Sequence, residues 1–199
     1  MRIIAIFMMV TGLFMAACSP QTDPTNTNTW QLVNTQSHLN FISIKKGTFV
    51  ETHHFKKFSG SVDTGGKALV TIALDSVETN IDIRNERMRT HLFKTAETPN
   101  ATLTTNLDMA QFTDMAVGER KEISQIIVIH MHGKTESLRA EMIVTRLGAN
   151  KIVVDSHDPI LLNVEAFGMT AGVEKLRELA KLPSITPVVP VSFSLVFER

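Results

Sequence analysis

Apolar and polar residues alternate along most of this 199-residue chain, and the alternation is cleanest at its end. In PVVPVSFSLVFER, Val189, Val191, Phe193, Leu195 and Phe197 share one face, while Pro190, Ser192 and Ser194 share the other. A period of two marks a strand with one apolar side. EISQIIVIHMHG puts Ile123, Ile127, Ile129 and Met131 on one side, and SLRAEMIVTRLG does the same with Leu138, Ala140, Met142 and Val144. KALVTIALDSV, ATLTTNLD, HLNFISIKK and KIVVDS follow the pattern less strictly. Turn residues separate the runs at Asp63-Thr64-Gly65-Gly66, Gly118-Glu119, Gly133-Lys134 and Gly148-Ala149-Asn150. About eight or nine strands joined this way predict an antiparallel barrel or sandwich. Closing the sheet removes exposed edges that invite aggregation.

Two segments break the rhythm. TAGVEKLRELAKLP offers Thr170 as N-cap, Val173, Leu176 and Leu179 at helical spacing, and Pro183 as a stop. It predicts one amphipathic helix packed on the barrel or covering a mouth. The other segment, Leu74 to Phe93, is the densest run of charge in the chain. Its first part continues a strand to Val77. Thr79 to Leu92, with Ile81, Ile83 and Met88 among acids and arginines, reads as a loop with a helical turn.

Composition excludes some classes of function. Twenty basic and twenty acidic residues cancel, so no basic bias points to nucleic acid or to an anionic surface. The N-terminus is more specific. Arg2 precedes the short apolar run Ile3 to Met15, and Ala16-Ala17-Cys18 follows. The run is too short to span a bilayer comfortably and reads as a secretory signal over residues 1–17. The ending resembles a bacterial lipobox, with Met15 where that pattern prefers Leu, and the resemblance implies lipidation of Cys18. Cys18 is the single cysteine, so an exported chain would carry no disulfide. Ser19 to Thr29 is rich in Pro, Thr and Asn, so residues 18–29 read as a flexible tether before a domain at 30–199. Ser19, rather than Asp, after the cysteine resembles outer-membrane sorting.

The chemistry-bearing residues do not assemble on paper. His130 and His132 share a strand face and His53 adjoins His54, but no third ligand has metal-site spacing. Asp155-Ser156-His157-Asp158 holds triad residue types whose side chains alternate between faces. SVDTGGKA lacks the first Gly and the final Ser/Thr of a phosphate loop and reads as a hairpin turn. The acids of the charged run alternate with arginines, which favours local ion pairs in solvent over perturbed carboxylates. No catalytic or metal residue is assigned, no cofactor is expected, and the chain reads as a binding protein rather than an enzyme.

Further matches are shared with a known family. Trp30, Ser37 and Phe41 in WQLVNTQSHLNF, and the Phe-x-x-Phe-x-Gly of Phe55 to Gly60, resemble the opening of the YceI-like family. Asp75 through Glu78 to Arg84-Asn85-Glu86-Arg87-Met88-Arg89 and Leu92-Phe93 is similar to its most recognisable stretch. Pro99 to Leu103, His132-Gly133 and Phe167-Gly168-Met169 fall where that family has theirs. The resemblance runs from Trp30 to Phe197. It implies an all-β, extended eight-stranded antiparallel lipocalin-like barrel with one or two short helices. It also implies a long isoprenoid, such as a quinone tail or polyprenyl chain, in the barrel cavity. The charged run then lies beside the barrel with Phe93 or Met88 turned inward.

An eight-stranded barrel has room for side chains or one slender ligand. Eleven Phe and ten Met with no Tyr supply apolar, adaptable lining without phenolic hydroxyls to satisfy. The expected lining residues are Phe41, Phe58, Phe93, Met142, Phe167 and Phe193, each of which also suits plain core packing. Ser43 continues the face begun by Leu39 and Phe41 and predicts a narrower or more polar stretch there. The leading expectation is an envelope lipoprotein, facing the periplasm and anchored in the outer membrane, that carries, stores or sequesters an isoprenoid lipid. The alternatives are a filled barrel docking a membrane-bound protein partner, and an envelope enzyme with converging titratable groups.

Overall fold

The computed structural model describes residues 28–199. The predicted signal, Cys18 and nearly all of the tether lie outside them. Twelve strands form one antiparallel sheet: β1 (Trp30–Leu32), β2 (His38–Lys45), β3 (Phe49–Phe55), β4 (Phe58–Val62), β5 (Lys67–Ala73), β6 (Val77–Glu78), β7 (Asn100–Asn106), β8 (Arg120–Met131), β9 (Lys134–Gly148), β10 (Lys151–Ser156), β11 (Ile160–Asn163) and β12 (Val188–Glu198). The sheet closes because β1 pairs with β4 on one side and β12 on the other. β1 and β2 lie along the same edge of β12, β10 and β11 along its other edge, and β3 and β4 pair with β2 and β1. These interrupted strands act as single staves, so the closed barrel has eight.

The interruptions are held by long-range side-chain bonds. Asn34 accepts from Phe58 N at 2.8 Å and donates to Lys56 O at 3.0 Å, which ties the break after β1 to the break after β3. Ser76 Oγ accepts from Lys57 N at 3.0 Å and donates to Ala73 O at 2.6 Å. The buried Ser37 hydroxyl accepts from Val196 N at 2.9 Å and donates to Val33 O at 2.8 Å. Each bond replaces a ladder partner that the break removes, as buried main-chain groups require.

The alternating runs point inward as expected. β8 and β9 pair without a register shift from Arg120↔Thr145 to Met131↔Lys134. They turn at His132-Gly133, both with positive φ (54° and 73°), the backbone a tight two-residue hairpin demands. Ile123, Ile127 and Ile129 on β8 and Ala140, Met142 and Val144 on β9 are buried, with Ile127 only 1% exposed.

One end of the barrel is covered by helices. The charged run differs from a loop with a single turn: α1 (Asp82–Arg87) continues into a π-helix over Met88–Phe93 and stops at Lys94 in the left-handed conformation. α2 (Thr170–Leu179) packs on that π-helix. Thr170 is the first helical residue rather than the N-cap; Met169 occupies the cap and no side chain caps the helix. Close packing accounts for Gly172, where a Cβ would lie 2.6 Å from His91 O and 2.9 Å from Leu92 Cα.

Candidate functional site

The barrel is not filled by its side chains. A cavity of about 380 Å³ lies towards the end opposite α1 and α2, where the short 3-10 helix Met109–Phe112 contributes lining, and one of about 140 Å³ lies under the helical cap. The larger is within the range of small-ligand sites. Leu39, Ile72, Leu103 and Phe193 line both cavities. Leu39 and Phe193 are register partners on β2 and β12, and Ile72 and Leu103 come from the paired strands β5 and β7. These four side chains form a waist between two chambers.

The small chamber is walled by Phe41, Phe55, Phe93, Phe167, Met169 and other apolar side chains. Phe41, Phe55 and Phe93 make a chain of tilted rings with centroids 5.4 and 5.7 Å apart, in the range aromatic pairs prefer. The large chamber is lined mainly by Ile, Val, Leu, Met and Phe and opens past Asn28, Thr64, Thr113, Arg146 and Arg199. Trp30, 4% exposed, forms part of that wall.

The expected lining residues divide as follows. Phe41, Phe93 and Phe167 line the small chamber, Met142 the large one, and Phe193 both. Phe58 is buried in the core around Trp30 and lines neither. Of the waist residues sequence singled out Phe193 alone as lining, and it did not single out the arginines at the mouth. Their signal was present: Arg146 follows Val144, and Arg199 follows Phe197, at the next inward position of a period-two strand.

Beyond Phe41, a polar cluster replaces apolar lining. Ser43 Oγ bonds His53 Nε2 at 3.0 Å, and the His53 ring lies 5.2 Å from that of Phe41. Neither residue lines a chamber. His53 is 3% exposed; burial first, then the charges of Arg84, Lys45 and His54, lower its pKa to about 4. His53 Nδ1 has no hydrogen-bond partner among the described residues, so no carboxylate orients the ring. Glu51 takes Arg84 Nη1 on both oxygens at 3.0 Å and also holds Lys45. Burial lowers the pKa of Arg84, and burial followed by Arg84 lowers that of Lys45.

The charged run therefore finds its ion-pair partners on β3 and just after it rather than within itself. Arg84 is withdrawn onto Glu51, and Glu78 pairs with Lys56. The Glu78 carboxyl is held at about 2 by Lys56, by the Asn85 side chain and by Asn80 N–H. Asn85 also accepts from Thr79 N and Oγ1 at 2.9 and 2.6 Å, which fixes the entry to α1. Met88 and Phe93 are both buried, and Phe93 reaches the small chamber.

Comparison with known proteins adds three findings. The profile of the YceI-like domain matches residues 30–197. A polyisoprenoid binding domain from Saccharophagus degradans, described as implicated in plant cell wall breakdown, is 40% identical with a TM-score of 0.83, over 85% of this chain and 97% of that one. BcnA of Burkholderia cenocepacia shares the fold at 20% identity and a TM-score of 0.63, over 83% of this chain and 98% of its own. No curated protein matches. Trp30, Ser37 and the Asn85 network, read first as marks of a resemblance, wall the large chamber, hold a strand break and fix the cap in turn, and this chain belongs to the YceI-like family.

Proposed function

We propose that this protein binds a long isoprenoid lipid with its chain running through both chambers. The observation that carries the reading is the pair of apolar chambers joined at the Leu39, Ile72, Leu103 and Phe193 waist. That shape suits a slender chain better than a compact ligand. The 40% identical domain from Saccharophagus degradans, described as polyisoprenoid binding, supports the choice of lipid. Burying on the order of 700 Å² of isoprenoid at ~25 cal/mol per Å² gives roughly 15 kcal/mol gross. Ordering of the chain and lost translation offset most of it, so tight retention needs no strong polar contact. The open chambers favour binding over a filled barrel that only docks a partner.

The role we assign is carriage, storage or sequestration of that lipid by an envelope lipoprotein anchored through Cys18 in the outer membrane. Asn28 lines the large chamber near its mouth. The ten residues from Cys18 to that point reach at most about 35 Å, so an anchor there would keep the open mouth within that distance of the bilayer that holds the lipid.

Native mass spectrometry of the exported full-length chain, followed by solvent extraction, tests the reading. A mass excess of several hundred daltons beyond the N-terminal lipid, extractable as a prenyl compound, is the expected result. A bare polypeptide that stays bare after incubation with ubiquinone and with a polyprenol overturns it.

A further inference from the structure

Two neighbouring loops form one side of the large chamber's mouth, and neither carries a charge. Ala116-Val117-Gly118 leads towards β8, and Leu147-Gly148-Ala149 turns β9 into β10. Gly118 N donates to Arg146 O at 2.8 Å and Arg146 N to Glu119 O at 3.0 Å, so the two loops run side by side. Met115 and Arg146, next to this lip, line the cavity. Val117 is 68% exposed, more than any other large apolar residue among those described, and Leu147 is 45% exposed.

Several main-chain groups of the lip are held from within the protein. Ala116 N donates to the Glu119 carboxylate at 2.8 Å, Ala149 O accepts from Arg146 Nη2 at 2.8 Å, and Asn150 O accepts from Arg199 N at 3.2 Å. Paired main-chain groups cost less to take out of water than free ones. The capped end differs. Phe49, Val50, Ile81 and Ile83 are exposed there, but Lys46 and Asp82 sit among them, and the small chamber lies under helices.

Resting on the isoprenoid reading, we infer that this uncharged lip docks the mouth on a lipid bilayer, with Val117 and Leu147 entering the apolar layer. A lipid that passes straight from bilayer to chamber never exposes its chain to water, so the large cost of that exposure is avoided. The chain ahead of the described residues joins the barrel at the same place, since Asn28 lines the large chamber. Two half-exposed apolar side chains favour the membrane by on the order of a hundredfold on area grounds. That is weak enough for the mouth to lift off once loaded. Lasting attachment takes a second signal, which an anchor at Cys18 would supply.

The test places the full-length protein on vesicles of neutral phosphatidylcholine, with or without bromine on the acyl chains. Trp30 is the only tryptophan and gives a constant background. Emission added by Val117→Trp should be quenched by the brominated lipid, and emission added by Ile83→Trp at the capped end should not. Uptake of a polyprenol from the vesicles should slow about tenfold in V117D/L147D, where charge replaces the apolar contact. It should keep its rate in V50D/I83D, with urea midpoints of both variants matching the unaltered protein. Unquenched emission from Val117→Trp, or uptake unchanged in V117D/L147D, overturns the inference. Loss of self-association in V117D/L147D without any change on vesicles also overturns it and makes the lip a contact between copies. Quenching that persists while no polyprenol is taken up refutes the isoprenoid reading and upholds the docking surface.

Discussion

Glu51, under the helical cap, holds Lys45 and Arg84 beside the apolar interior, whereas at the opposite end Arg146 and Arg199 meet the same interior with only Trp30 and a main-chain carbonyl for company. The capped end is braced in several ways. Its two cations share Glu51, Asn85 fixes its loop, and α2 lies so close to the π-helix that one position accepts no Cβ. The opposite end keeps more empty volume, partly exposed side chains at its rim and two arginines without an ion pair among the described residues. One end is built as an anchor for the fold, and the other keeps the freedom a ligand needs.

The sharpest way to break that contrast is to hollow out the anchor. Phe167, 1% exposed, fills the floor of the small chamber. Phe167→Ala should cost about 3–5 kcal/mol in urea unfolding, because neighbours relax only partly into such a gap. If the capped end were as loose as the mouth, the cost would stay near 1 kcal/mol.

Acid should loosen the same end next. His53 titrates near 4 in the fold and near 6.5 when unfolded, so between those values the unfolded chain binds more protons. Stability is therefore full above about pH 6.5 and falls as pH drops towards 4, by on the order of 2–3 kcal/mol. Comparing unfolding of the unaltered protein with His53→Gln across pH 7 to 4 isolates this contribution from the carboxylates. A parallel decline in both would refute it. Gly172→Ala should follow in size: the added methyl meets main-chain atoms of His91 and Leu92, and overpacking less the gain in helix propensity leaves roughly 1–2 kcal/mol lost.

The two ends were unequally legible in the sequence. Inward positions on β8, β9 and β12 follow from alternation alone, because each strand is long and half-buried. The broken staves could not be read that way. Their interruptions depend on Asn34, Ser37 and Ser76 reaching main chain elsewhere in sequence, and period carries no such information. Of the polar cluster only Ser43 was legible, as a polar residue on an apolar face: Glu51, His53 and Arg84 come from separate segments that only the closed sheet and its cap bring to it. The charged run looked solvated since its acids and arginines alternate, yet the partner of Arg84 is Glu51 on β3. At the mouth, by contrast, the period was enough to place Arg146 and Arg199 inward. The inward faces as read from apolar residues stop one step short of them, at Val144 and Phe197.

The smallest effect on stability should come from the rim, and it should be the one that ligand release feels most. Phe112 lines the large chamber from the connection between β7 and β8 and remains partly exposed. Its removal leaves a gap that solvent or neighbouring Met109 and Met115 can fill, so Phe112→Ala should cost no more than about 1 kcal/mol, well below the buried Phe167. Widening the mouth removes a barrier to exit without removing much of the wall that the chain packs against. Release of a preloaded polyprenol to acceptor vesicles should therefore accelerate several-fold while equilibrium affinity shifts less than threefold. Unchanged release, or a stability loss comparable to that of Phe167→Ala, would mean that this connection is as firmly built as the cap.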